Sequence, residues 1–160
     1  MSGKSYSKTI KELLPVLAGS PKDLEWAVYS VTRGIALQNP EIRYDETTIF
    51  PGLLDRELPK TFGHIHPKNP AGIIYPEIYS VIKGRAWYLF QKSSEENIAK
   101  VEEVYLIEAN AGENVVIPPG FTHLSINPGK EDLYMANWVE APFPFDYEKM
   151  ERMHGACYYA

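Results

Sequence analysis

His64 and His66 are separated by one residue, Glu77 follows after ten more, and His123 stands just behind Pro118-Pro119-Gly120. In a strand the side chains at i and i+2 share a face, so His64 and His66 can hold one ion together. Glu77 and His123 complete a set of three imidazoles and one carboxylate. Such donors suit a divalent transition ion (Fe, Mn, Ni, Co or Zn) better than Ca or Mg. Three of the four histidines in the chain fall into this pattern. The fourth, His154, lies beside Gly155 near the C-terminus and reads as a surface residue.

The elements that must position these groups are short. Thirteen prolines, eleven glycines and eleven tyrosines favour many strands joined by tight turns. Strands are predicted over Glu25–Thr32, Arg43–Phe50, Glu77–Ile82, Arg85–Lys92, Val101–Glu108, Asn114–Ile117 and Leu133–Val139. Lys83-Gly84 reads as a tight hairpin turn, and Asn127-Pro128-Gly129-Lys130 as another turn. Ile10, Leu13, Leu14 and Leu17 lie at helical spacing, with Ser7 as cap, and Pro15 limits this segment to one or two turns. A short helix is expected over Asp146–Arg152. An all-β sandwich or barrel follows, and a jelly roll fits. The run Trp87, Tyr88 and Phe90 is expected to divide between core and dimer surface.

The 160 residues suit one domain with a full hydrophobic core. It divides into an N-terminal extension (1–24), a barrel (about 25–140) and a tail (141–160). A formal charge of −5 with scattered basic residues excludes a phosphodiester partner. A small anion remains open, because a metal or backbone amides can make a site locally positive. A single cysteine, Cys157, excludes an internal disulfide, fits a reducing compartment and reads as an inert thiol. No signal peptide is visible, and no run approaches the roughly 20 apolar residues of a membrane helix. The expectation is a soluble cytoplasmic protein with no nucleic-acid or membrane partner.

Both motif segments resemble the cupin superfamily. Gly112, Pro118, Gly120, His123 and Asn127 match its G-x5-P-x-G-x2-H-x3-N pattern at every fixed position. The first segment matches as His64-x-His66, Glu77, six residues and Gly84, with a longer gap between His66 and Glu77 than most cupins have. The insert, Pro67-Lys68-Asn69-Pro70-Ala71-Gly72, is rich in turn formers, so a loop between two metal-bearing strands can absorb it. The implied fold is a cupin double-stranded β-helix, a jelly-roll barrel, preceded by a short helical segment.

Within the cupins the chain resembles the archaeal, cupin-type phosphoglucose isomerases from about Thr47 to Tyr147. The carriers are Thr47-Thr48, Pro51-Gly52, Thr61-x-Gly63-His64-x-His66, Glu77-Ile78-Tyr79, Lys83-Gly84, Val116-Ile117-Pro118-Pro119, His123 and Asp146-Tyr147, with Val28-Tyr29-Ser30-Val31 as a fainter match. Family members often carry Lys before Gly-His-x-His, where this chain has Phe62. The resemblance implies a homodimer with one divalent metal per subunit, iron foremost, held by His64, His66, Glu77 and His123. It implies interconversion of glucose 6-phosphate and fructose 6-phosphate. Substrate would contact Thr48, Thr61, Gly63, Tyr79 and Tyr147, and Glu77 and Tyr79 would serve catalysis. Two alternatives stay open at this level: another metal-dependent cupin enzyme such as a dioxygenase, or a non-catalytic sugar-binding cupin.

Overall fold

The computed structural model of the protein describes residues 3–35, 41–140 and 145–160. Among them run β1 (Lys4–Thr9), α1 (Ile10–Leu13), β2 (Ala27–Ile35), β3 (Ile42–Ile49), β4 (Glu77–Lys83), β5 (Arg85–Ser93), β6 (Val101–Asn110), β7 (Asn114–Ile117), β8 (Thr122–Ile126), β9 (Leu133–Glu140) and α2 (Glu148–Arg152). Two antiparallel sheets result, one ordered β1-β2-β3-β9-β4-β7 and the other β6-β5-β8. This is the all-β cupin fold. The expected limit of the barrel at 140 abuts residues 141–144, which lie outside the described residues.

All seven predicted strands are present, with ends moved by up to three residues. Two strands carried no legible signal. β1 reads Lys-Ser-Tyr-Ser-Lys-Thr, a polar edge strand that gains its conformation by pairing with β2 from Lys4↔Arg33 onward. β8 is buried at all five positions, so it lacks the alternation that marks a half-exposed strand.

Ser7 lies inside β1 and does not cap the helix. The backbone N–H of Thr9 instead donates to Glu12 Oε2 at 2.9 Å, and α1 gives way after one turn to a 3-10 turn over Leu14–Val16 with Pro15 near its start. The Lys83-Gly84 hairpin is also corrected. β4 pairs with β7 and β9, whereas β5 pairs with β6 and β8, so the chain turns a corner there between the sheets. Gly84 takes φ +89° at that corner, a conformation that costs an L side chain free energy.

The core draws on every part of the chain. Leu13 and Val16 of the N-terminal segment, Ile49, Leu133 and Met135 of the barrel and Met150 of α2 are each fully buried. Each such aliphatic side chain contributes about 1.5–3 kcal/mol. Tyr88 and Phe90 belong to this core, while Trp87 is half-buried and donates its indole N–H to Glu108 at 2.8 Å. His154 and Cys157 are exposed.

One polar contact inside the core fixes the segment that leads into His64. Glu57 and Lys60 are both buried and paired. Glu57 Oε1 accepts the Ala18 N–H at 2.6 Å, and Lys60 Nζ donates to Val16 O at 2.9 Å. Burial pulls the Lys60 amine below its ordinary range in spite of the Glu57 charge. Glu57→Ala leaves that ammonium buried without its counter-charge and is expected to cost about 3–5 kcal/mol. Chemical denaturation checks this against Glu57→Leu/Lys60→Met, which should cost much less; a single variant within 1 kcal/mol of the parent would show that the pair does not hold the segment.

Candidate metal centre and its cavity

The segment after Lys60 is bound to β8 through backbone bonds. Thr61 N–H donates to Ser125 O at 2.9 Å, and His64 and His123 exchange both of theirs at 3.1 and 2.9 Å. The last two bonds form an isolated antiparallel bridge that places two of the four histidines directly opposite each other. Just before His64 in the chain, Gly63 takes φ +83°, and a Cβ there would lie 2.7 Å from Met150 Cε. Asn127, the last motif position, has a supporting role. Its Nδ2 donates to Ile49 O and Glu131 O at 2.9 and 2.8 Å, holding the turn after β8.

Glu77 enters at the first residue of β4, opposite Ile117 of β7 and Val139 of β9. His64, His66, Glu77 and His123 each offer one donor atom, and these four atoms lie within 4.8 Å of one another. His66 Nε2 is 3.0 Å and His123 Nε2 3.2 Å from Glu77 Oε2, and the Nε2 atoms of His64 and His66 are 3.2 Å apart. The insert after His66 proves to be a small loop satisfied by Asn69. Its Oδ1 accepts Ala71 N–H at 3.0 Å and Ile73 N–H at 2.9 Å. The loop returns at Tyr75, whose carbonyl lies 2.8 Å from His66 Nδ1. That contact makes Nδ1 the protonated nitrogen and leaves a lone pair on Nε2.

The donor set fits a metal. Lone pairs on His66 Nε2, His64 Nε2 and Glu77 Oε2 face one another across about 3 Å, which repels unless a cation lies among them. With ligand bonds of about 2.1 Å, adjacent donors on one ion sit about 3 Å apart. Burial, reinforced by His123, holds His64 well below the ordinary imidazole range, which keeps it neutral and able to ligate. Burial alone would raise the Glu77 carboxyl, but its contacts with His123 and His66 outweigh that and keep it ionised, as a ligand must be. Oε1 of Glu77 accepts Asn137 Nδ2 at 2.6 Å, so both carboxylate oxygens are engaged.

His64 and Glu77 also line a partly open cavity. Tyr79, two residues after Glu77, faces it with Thr61, Phe62, Gly63 and Tyr147. Burial, then the Glu77 charge, pushes the Tyr79 phenol well above its ordinary range, so it stays protonated and donates. Thr61 Oγ1 accepts the Ser125 N–H at 3.0 Å, which leaves its own proton to give. The tail is docked by Ile65 N–H to Asp146 O at 3.1 Å. That bond brings Phe145 edge-on to His64, with ring centroids 4.6 Å apart, and sets Tyr147 beside Phe62 at 5.3 Å.

Thr48 does not reach this cavity. β3 turns Asp45, Thr47 and Ile49 inward, so Thr48 faces outward between Ser30 and Tyr134, and Thr47 lines the cavity in its place. The expectation for Thr48 is corrected by the simple alternation of a strand. Sequence reasoning also passed over Tyr6, Arg33, Asp45, Asn137 and Phe145, which all line the cavity. Asp45 and Asn137 had a usable signal, a polar residue in the inward phase of an otherwise apolar strand face. Tyr6 and Phe145 had none, because they sit in segments that reach the cavity only by docking.

A cupin barrel with a cluster of three histidines and a glutamate fit to hold a metal, two of them at the wall of a cavity, is the class defined by fold and site. The chain matches the family model described as glucose-6-phosphate isomerase (GPI) over residues 24–160, and it belongs to that family in its cupin-type branch. It is 28 % identical over 144 residues to a glucose-6-phosphate isomerase of Thermococcus litoralis and 24 % identical over 144 residues to that of Pyrococcus abyssi. Each match takes in 90 % of this chain and 65 % of the relative, so the chain spans a little under two thirds of their length. Among solved structures, an oxalate oxidase superposes with a TM-score of 0.52 at 24 % identity, over 71 % of this chain and 51 % of that one. The capsular polysaccharide assembling protein CapF of Staphylococcus aureus gives 0.53 at 21 %, over 73 % and 29 %. Both likenesses concern the fold alone.

Removing two of His64, His66 and His123 together by Ala substitution should abolish stoichiometric metal in purified protein, read by elemental analysis; full occupancy would refute the cluster. Asn137→Ala tests the support behind Glu77. Its expected effect is a 10–100-fold loss of metal affinity with an unchanged circular dichroism spectrum.

Proposed function

We propose that the protein is a metal-dependent aldose–ketose isomerase that interconverts glucose 6-phosphate and fructose 6-phosphate, serving glycolysis and gluconeogenesis in the cytoplasm. One divalent transition ion per subunit, iron foremost among Fe, Mn, Ni, Co and Zn, is the cofactor. The observation that carries this reading is the convergence of three imidazole nitrogens and one carboxylate, two of which, His64 and Glu77, line a cavity rich in hydroxyls and aromatic rings. Membership of the isomerase family over residues 24–160 supports the choice of substrate.

A bound divalent ion supplies Lewis-acid polarisation of a carbonyl oxygen, worth several kcal/mol of the barrier. The chain's own residues do the rest. Thr61, Gly63 and Tyr147 contact the substrate phosphate and orient the open-chain sugar, with Thr61 giving a hydroxyl proton. Tyr79 donates its phenolic proton towards the reacting oxygens. Glu77 acts as ligand rather than base, because one carboxylate oxygen faces the His66 and His123 nitrogens and the other accepts from Asn137, so both are engaged. Without a base, hydrogen passes from C2 of glucose 6-phosphate to C1 with its electron pair, while the O2 proton passes to O1.

A homodimer fits the outer face of the larger sheet. Tyr44, Trp138, Ile78 and Val116 lie in register across β3, β9, β4 and β7, and the last three are exposed apolar side chains. Such a row is what a protein–protein contact covers.

Turnover of fructose 6-phosphate in deuterated water, with metal content measured in the same sample, tests the reading. We expect glucose 6-phosphate to form, metal to be required after chelation, and no solvent deuterium to appear on carbon. Deuterium on carbon would return the base role to Glu77. No isomerisation under any of the five metals would remove the enzyme assignment.

A further inference from the structure

β2 presents Tyr29, Val31 and Arg33 to the cavity at alternate positions. The register of β2 on β3 shifts between Thr32 and Ile35, a bulge that re-aims the strand at Arg33. The Arg33 guanidinium carbon lies 4.0 Å from the centroid of the Phe145 ring and 5.2 Å from that of Tyr6. Its side-chain partners among the described residues are two phenols, Tyr147 Oη, reached from Nη2 at a long 3.5 Å, and Tyr6. Nε is buried with no hydrogen-bond partner, and among the described residues no carboxylate forms an ion pair with Arg33.

The two acids on the cavity wall are already committed. Asp45 receives Arg43 Nε at 3.0 and 2.9 Å and the Gly34 N–H at 2.9 Å. Glu77 is held by His66, His123 and Asn137. A half-buried guanidinium with a buried, idle Nε donor is a poor structural element, since that desolvated N–H gains nothing from the protein. It is a good anion receptor, because its fork matches phosphate oxygens in pairs.

We propose that Arg33 anchors the anionic end of the substrate, a phosphate monoester, in the cavity that His64 and Glu77 also line. The residue before Gly63-His64 is the apolar Phe62, so no cation comes from that position. Arg33 supplies the charge from a different strand. The Phe145 ring touches both groups, with its centroid 4.0 Å from the guanidinium carbon and 4.6 Å from the His64 ring centroid. The identity of the anion as a sugar phosphate rests on the function proposed above.

The test uses the full chain reconstituted with metal, as parent, Arg33→Met and Arg33→Lys, titrated calorimetrically with fructose 6-phosphate and with inorganic phosphate. Metal content and thermal unfolding are recorded for each, and Arg33→Lys serves as the folded comparison if Arg33→Met loses its fold. Arg33→Met should weaken both ligands at least tenfold and flatten the salt dependence of binding. Arg33→Lys should recover part of the affinity, because it keeps the charge and loses the fork. Parent-like affinity for both ligands in Arg33→Met, or a parent that binds neither, overturns the anchor. A parent that binds fructose 6-phosphate through Arg33 without converting it supports the anchor and removes the isomerase reading. A parent that converts it while Arg33→Met binds it equally well does the reverse.

Discussion

Four lone pairs pointed at one another inside a protein repel, and the rest of this molecule is arranged to hold them there. His64, His66, Glu77 and His123 bring their donor atoms within 4.8 Å, and nearly all of the surrounding surface is withdrawn from water. Only a frame that cannot relax keeps such a cluster together before a cation stabilises it. The two sheets provide that frame. One ligand comes from β4 and one from β8, and the two from the linking segment are tied to β8 by a reciprocal pair of backbone bonds. The Tyr75 carbonyl then sets the His66 tautomer, and the Asn137 amide fixes the Glu77 oxygen. A metal site is tuned as much by these supporting contacts as by its ligands.

The same rigidity sets two kinds of chemistry on one cavity wall. His64 and Glu77 line it together with Arg33, which no described carboxylate pairs in a salt bridge and which has Tyr147 beside it. Part of the wall is aromatic, from Phe145 and Tyr147, and comes from the C-terminal tail. The low-dielectric lining strengthens attraction to a substrate that carries an anion at one end and a polarisable carbonyl at the other. The tail is thus part of the site. It closes over His64 through one backbone bond at Asp146 and through burial of Met150.

Glu57 and Lys60 show how distant packing serves the centre. Their buried pair ties the N-terminal segment to the loop that runs directly into Thr61, Gly63 and His64. The N-terminal residues therefore contribute in two ways, through Leu13 and Val16 in the core and through Tyr6 of β1 at the cavity wall. A segment that looked like an extension in one dimension is an edge strand and a wall in three.

The sequence by itself determined the ligand set and the fold class. Histidine and glutamate at strand spacing, with glycine and proline at fixed offsets, leave few other uses, and seven strands with strong β patterning follow from period-two burial. Local chemistry was enough for those, because each depends on neighbours a few residues away. Only the tertiary structure decided which sheet each strand joined, and so that Lys83-Gly84 is a corner and not a hairpin. It decided that Thr47 faces the cavity and Thr48 does not, since the phase of a strand is set by its partners. It also decided that Arg33, Asn137 and Phe145 meet the metal ligands, because that meeting depends on contacts across up to 114 residues, the separation of Arg33 from Tyr147. Register and docking are properties of the closed barrel, and no short window of sequence contains them.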